Sequence, residues 1–152
     1  MLIKYMNMKN YIITILLVIL LLSLAACKKH HTRPKIPAPT WTVDDSGKYP
    51  ASMTAVVQVP KNLQPHIQPA DKIGAFVGDE CRGTGTLVKV RDASVFFVLI
   101  HGVASEQAKI SFRYYRSSKS YLYATEPFLD FIQDGNYGTA DGPKILDLSP
   151  VK

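Results

Sequence analysis

Between Trp41 and the C-terminus the apolar residues recur at every second position, and no stretch carries the 3.6-residue period of a capped helix. A chain patterned this way is driven into strands, because a pleated strand sends alternate side chains to opposite faces. Residues 52–59 (SMTAVVQV) place Met53, Ala55, Val57 and Val59 on one face, and Pro60 ends the run. Residues 72–77 and 81–90 read as two further strands around a turn at Gly78-Asp79. Gly83 and Gly85 predict a bulge or bend in the second of them. Residues 94–101 (SVFFVLIH) are apolar on both faces, which predicts the most buried strand. Its second face then needs a cover, either the N-terminal segment with Trp41 or a partner chain. In residues 108–116, Ile110, Phe112 and Tyr114 point one way, and Ser111, Arg113 and Tyr115 the other. Residues 121–124, 128–132 and 144–148 complete the set, with 134–143 as a loop. About seven or eight short strands between turn signals predict an all-β fold, an antiparallel β-sandwich of immunoglobulin-like or related type.

The register of the first hairpin is open. A two-residue loop pairs Phe76 with Cys81, and a three-residue loop pairs Val77 with Cys81. One residue of slip inverts the faces. Both registers set Cys81 opposite an apolar residue, so a buried, poorly reactive thiol is expected.

The net charge of +6 points towards nucleic acid or an anionic surface until its distribution is read. Residues 41–149 hold 11 Lys+Arg and 12 Asp+Glu, a balance of −1. The excess lies in Lys4, Lys9, Lys28, Lys29, Arg33, Lys35 and Lys152. The folded part is nearly neutral, and no dense basic face for nucleic acid is expected.

Lys4 and Lys9 precede an uncharged apolar run over residues 11–26. That is the layout of an export signal. Met8-Lys9-Asn10 offers a second, more usual start. The run closes on Leu24-Ala25-Ala26-Cys27, which resembles the lipobox of bacterial lipoproteins. The resemblance implies cleavage before Cys27, a thioether-linked diacylglycerol on its sulfur, and acylation of the freed amine by chains such as palmitate. Each buried CH₂ contributes about 0.8 kcal/mol, so two or three chains hold a protein to a membrane durably. The organisation expected is a signal peptide over 1–26, a lipidated cysteine and Pro-rich linker over 27–40, and a β-sandwich domain over 41–149. Pro34, Pro37 and Pro39 favour a semi-rigid extended spacer. The outer membrane is the expected location. Lys28 and Lys29 follow the cysteine, where surface-exported lipoproteins of gut anaerobes carry acidic residues, so its periplasmic face and the cell surface both stay open.

Reactive constellations are sparse. Cys81 and His101 are the thiol and imidazole of the strand region, without a nucleophile motif around either. Gly83-Thr84-Gly85 lacks the third glycine and the lysine of a phosphate loop. Asp134, Asn136 and Asp141 alternate as oxygen ligands do, but the EF-hand spacing and its distal glutamate are missing. Asp44-Asp45-Ser46-Gly47 reads as turn chemistry in the same way. His30 and His31 stand side by side in the linker, a poor arrangement for a closed metal site. No catalytic residue, cofactor or metal is expected. The residues expected to touch a ligand are Arg113, Tyr115, Tyr121 and Tyr123, read as an exposed patch, since Tyr and Arg are enriched at binding hot spots.

Residues 75–83 (AFVGDECRG), the aromatic run 96–102 (FFVLIHG), residues 110–115 (ISFRYY) and the Gly138-Thr139 to Pro143 ending together resemble a β-sandwich module of secreted and lipid-anchored proteins in anaerobic Gram-negative bacteria. The resemblance covers most of residues 41–148. It implies an envelope module, with no activity or site residue to carry over. The expected function is a non-enzymatic, lipid-anchored binding or adhesion module for a glycan or an envelope protein. The alternative is an accessory subunit of an envelope assembly that packs an apolar sheet face on its partner.

Overall fold

The computed structural model describes residues 33–151, together with Ile13 and Ile15. Cys27, and the expected signal peptide over 1–26 apart from Ile13 and Ile15, lie outside the described residues. Among the described residues, no helix is long and apolar enough to cross a membrane.

The fold is all-β, as the alternation predicts. Six strands carry most of it: β1 Ala51–Gln58, β2 Lys72–Val77, β3 Glu80–Val90, β4 Ala93–Gly102, β5 Lys109–Arg116 and β6 Tyr121–Ala124. Four two-residue bridges follow: β7 Leu129–Asp130, β8 Asn136–Tyr137, β9 Lys144–Ile145 and β10 Ser149–Pro150. One sheet runs in the order β10-β6-β5-β2-β3-β4-β1-β8, with β7 on β5 and β9 on β1.

The expected antiparallel sandwich differs from this in two ways. The sheet is mixed, since β8 and β9 run parallel to β1. It is also continuous and curled, as in a half-barrel, with no break into two separate layers. The cause is β3. Its first residues pair with β2, whereas Gly85 to Val90 pair with β4, so one strand serves both halves. Gly83 and Gly85 let it turn that corner. A Cβ on Gly83 would sit 2.2 Å from the Leu99 carbonyl oxygen, and one on Gly85 2.2 Å from Ile73 Cγ2. The bend expected from these glycines is present, and it joins the two halves.

The hairpin takes the two-residue loop, with Val77 opposite Glu80 and Phe76 opposite Cys81. Gly78 supplies the positive φ of 58° that the turn needs. The register then shifts, because Ala75 faces Gly83. Arg82 is thus the extra residue of a bulge, a device that re-aims a side chain.

The core lies between the curled halves. Ala55, Val57, Phe96, Val98 and Ile100 of one half meet Ile73, Ala75, Ile110, Phe112 and Tyr114 of the other. The Phe96 and Tyr114 rings touch edge-on at 6.1 Å. Leu146, 1 % exposed, plugs the gap left beside β1, where its amide donates to the Gln58 carbonyl.

The polar anchor of the core is Asp71. It accepts from Tyr114 Oη (2.5 Å), from the Ser117 amide and hydroxyl (2.8 and 2.6 Å) and from the Gln68 amide (3.0 Å). A buried carboxylate with four donors is well compensated. Burial, with the Asp71 bond second, pushes the Tyr114 phenol far above its ordinary value and keeps it a neutral donor.

The Pro-rich segment begins its contacts before Trp41. The Ile36 amide donates to the Ser120 carbonyl, and Lys72 Nζ to the Pro39 carbonyl. Trp41 lies edge-on to Phe76 at 5.4 Å, so this segment covers the outer face of β2, whereas that of β4 is only partly covered. There Leu99 stays 50 % exposed. Val95 and Phe97 beside it are buried and half-buried.

Candidate functional site

Register decides the fate of the expected ligand patch. Cross-strand partners share a face. Tyr123 lies opposite Tyr114, and Tyr121 opposite Arg116. Arg113 faces Ala124, and Tyr115 faces Leu122. Tyr121 and Tyr123 therefore share the core side of the sheet, and Arg113 and Tyr115 the outer side. Tyr115 and Tyr123 are buried, at 4 % and 6 % exposure. Tyr121 is half-buried, with the Arg33 guanidinium 5.6 Å from its ring centroid. Arg113 lies over Phe76 at 4.2 Å and binds Asp79 and the Gly78 carbonyl, pinning the hairpin turn. These four side chains do not form one exposed surface.

Cys81 is buried, as expected, and its thiol contacts the Gly83 carbonyl at 3.5 Å. Burial is the largest influence on it and pushes the thiol pKa up, the reverse of what a nucleophile needs. Alkylation of Cys81 by iodoacetamide at pH 8 is expected to be far slower in the native protein than in urea. Equal rates by mass spectrometry would contradict the burial. Among the described residues, no three His, Cys, Asp or Glu side chains converge as a metal site would require. In the 134–143 loop, Asp141 pairs with Arg91 at 3.0 Å, and Thr139 and Gly142 exchange backbone bonds across a tight turn.

Three of the grooves among the described residues can be compared by their linings. One of about 470 Å³ has Val95 and Ala93 in its wall beside Gln58, Gln64 and the Arg91–Asp141 pair. Its Gln64 carboxamide is already engaged with the Ser94 backbone, and no aromatic ring lines it. A second, of about 280 Å³, lies between Trp41 and Gly85, where Asp71 is already saturated. The third, of about 310 Å³, lies at the seam where the two edges of the curled sheet approach each other. It differs from the others in its chemistry.

Each wall of the seam cleft is set by local chain logic. After β6, Thr125 turns inward and bonds Phe112 in both directions. Its amide donates to the Phe112 carbonyl, and its hydroxyl accepts from the Phe112 amide, both at 2.9 Å. Pro127 has no amide to donate, and the Phe128 amide returns to the Ile110 carbonyl. This staple holds Glu126 exposed and Phe128 at 40 % exposure on the rim. On the facing wall Tyr137 is held in β8 opposite Ala55. The next residue, Gly138, has φ +84°, and a Cβ there would lie 2.5 Å from the Val56 carbonyl oxygen. With Leu146 buried, alternation turns Ile145 and Asp147 outward into the cleft.

The rings form a connected floor. Phe128 rests on core Phe112 at 6.1 Å and meets Tyr137 edge-on at 5.8 Å. Burial raises the Tyr137 pKa, so its hydroxyl stays neutral. Lys144 stands 5.9 Å over that ring. The polar members are Glu126, Asp147, Thr125 and Ser149. Phe128 and Ile145, 40 % and 56 % exposed, are both large apolar side chains left open to water here. Apolar surface kept in a concave site beside a few polar groups is the usual makeup of a small-ligand cleft.

Sequence reading missed this site. Phe128 falls in the expected strand over 128–132 and Tyr137 in the expected loop over 134–143. Glu126, Tyr137 and Asp147 come together only because the sheet curls. The one legible signal is Tyr137, an aromatic residue within the expected loop over 134–143.

Comparison with known protein families, curated proteins and solved structures finds no match for this chain.

Proposed function

We propose that this protein is a non-enzymatic, lipid-anchored module of a bacterial outer membrane that binds a saccharide in the seam cleft. The observation that carries the reading is the Phe128–Tyr137 floor with carboxylates and hydroxyls around it. Aromatic faces stack on the C–H faces of sugar rings, while carboxylates and hydroxyls bond the ring hydroxyls. The volume, about 310 Å³, is at the low end of the ~300–1,000 Å³ spanned by small-ligand sites.

Supporting the tether are the apolar leader, Leu24-Ala25-Ala26-Cys27 and the flanking lysines. The curled sheet is read as a relative of the immunoglobulin-like sandwich, whose two layers remain joined through β3. That reading also fits the resemblance of residues 75–83 to envelope modules.

Two measurements test the proposal. Phe128→Ala is expected to weaken saccharide binding on a glycan array by tenfold or more, since truncating an aromatic binding hot spot costs about 2 kcal/mol or more. Unchanged binding would place the ligand elsewhere. Cys27→Ala is expected to abolish incorporation of labelled palmitate in cells. Undiminished labelling would remove the tether from the proposal.

One observation favours the second reading, an accessory subunit of an envelope assembly. The outer face of β4 and β3 offers Leu99 and Val88, 50 % and 37 % exposed. Stoichiometric co-purification with an envelope protein, lost in Leu99→Asp, would favour it.

A further inference from the structure

We infer that the seam cleft selects uncharged saccharides against anionic ones, and that Glu126 and Asp147 impose the choice. This rests on the saccharide reading above and adds the chemical class of ligand to it.

The cleft is asymmetric in charge. Its lining includes two carboxylates and no Lys, Arg or His. Lys144 of β9, which is not in the lining, is held 5.9 Å over the Tyr137 ring. Glu126 and Asp147 come from opposite walls, one following β6 and the other following β9. A ligand lying on Phe128 and Tyr137 is therefore flanked by negative charge from both sides. Neither carboxylate has a hydrogen-bond or ion-pair partner among the described residues that would neutralise it. Three other exposed acids are paired, Asp130 with Lys109, Asp79 with Arg113 and Asp141 with Arg91, whereas Asp44, Asp45, Asp92 and Asp134 also stand without an ion pair among the described residues but line no aromatic cleft.

The physical consequence follows from two rules. A carboxylate accepts hydrogen bonds from vicinal hydroxyls and donates none, so it suits a neutral polyol. Brought towards a uronate, phosphate or sulfate, the same group repels, and the low-dielectric aromatic floor weakens screening of that repulsion. Selectivity of this kind comes from the disfavoured contact as much as from the favoured one.

The test uses full-length protein in detergent. It is applied to an array carrying neutral hexose and N-acetylhexosamine oligomers beside uronate-containing oligomers of the same linkage. Neutral oligomers are expected to bind at least about tenfold tighter than their uronate counterparts at low salt. Raising the salt should narrow the gap. In the Glu126→Gln, Asp147→Asn double variant the carboxamide oxygens still accept hydrogen bonds, and the gap should close. Uronates bound as well as neutral sugars by the wild-type protein would overturn the selection and leave saccharide binding standing. A gap unchanged in the double variant would overturn the assignment to these two residues. Silence of the correctly folded protein across every saccharide, with its β-sheet circular dichroism intact, would overturn the saccharide reading and the selection with it.

Discussion

Replacing Glu106 by Ala is expected to lower the unfolding free energy by about 3–5 kcal/mol, the range for removing one partner of a buried ion pair. Arg82 has only 5 % of its side chain exposed and Glu106 11 %. Their contact is bidentate, with Nη1 donating to Oε2 at 2.9 Å and Nη2 to Oε1 at 2.8 Å. Nη1 also reaches the His101 carbonyl, and the guanidinium carbon lies 3.5 Å from the centre of the Tyr49 ring. Its Nε stands 3.5 Å from Glu80 Oε2, within ion-pair distance but outside hydrogen-bond geometry. That oxygen already accepts from Tyr49 Oη at 2.5 Å. Removing Glu106 takes the bidentate partner from a buried guanidinium whose remaining anion, Glu80, is shared with Lys48 and Tyr49. Urea unfolding followed by tryptophan fluorescence would measure the loss. The double variant Arg82→Met, Glu106→Leu should recover part of it, because apolar replacement of a whole buried pair costs far less than breaking it. A single-variant loss below about 1 kcal/mol, the level of an exposed pair, would contradict the burial of this clamp.

Gly83→Ala is expected to be the next most damaging, at about 3 kcal/mol or more, the upper end of the overpacking range. The added methyl would meet the backbone oxygen of Leu99 at 2.2 Å, so β3 and β4 must separate at the corner that joins the two halves. A backbone atom cannot rotate aside as a side-chain tip does. Gly78→Asn is the matched control. Gly78 has φ 58° and open space around its missing Cβ, a conformation Asn tolerates. The same unfolding assay should show a small change for Gly78→Asn and a large one for Gly83→Ala. Similar losses at both would mean that the close approach at the corner relaxes freely.

Much of the strand set was legible because its signal is local. Residues 72–77 and 121–124 fall on β2 and β6, and the expected 52–59, 81–90, 94–101 and 108–116 fall within one residue of β1, β3, β4 and β5. The opposed faces of β5 were also readable, since alternation by itself puts Ile110, Phe112 and Tyr114 together. The short bridges were not. β8 falls in a stretch read as loop, and two residues carry no period to detect. The parallel pairing of β8 and β9 with β1 depends on where the chain returns, which no local pattern encodes.

The expected ligand patch shows the same boundary between local and distant information. Tyr115, Tyr121 and Tyr123 are visible as aromatic residues of neighbouring strands, but their exposure depends on register and on what lies over them. Arg33 reaches Tyr121 and Tyr123, and the segment up to Trp41 covers the outer face of β2, contacts that link residues far apart in the chain. Arg82 was hidden for a similar reason. Its burial follows from a bulge of one residue, and its partner lies 24 positions away.

By itself the sequence determined that residues 41–149 are built from strands, where most of them run, which β5 residues enter the core, and that β3 bends at its glycines. Those properties arise from side-chain alternation and backbone freedom within a few residues. The tertiary structure alone decided that the sheet is one curled, mixed surface, that Arg82 and Glu106 meet in its wall, and that Phe128, Tyr137, Glu126 and Asp147 share a cleft. The curl and the cleft depend on the angle through which β3 turns, because that angle sets how closely two distant sheet edges approach, and the Arg82–Glu106 contact depends on the bulge that re-aims Arg82.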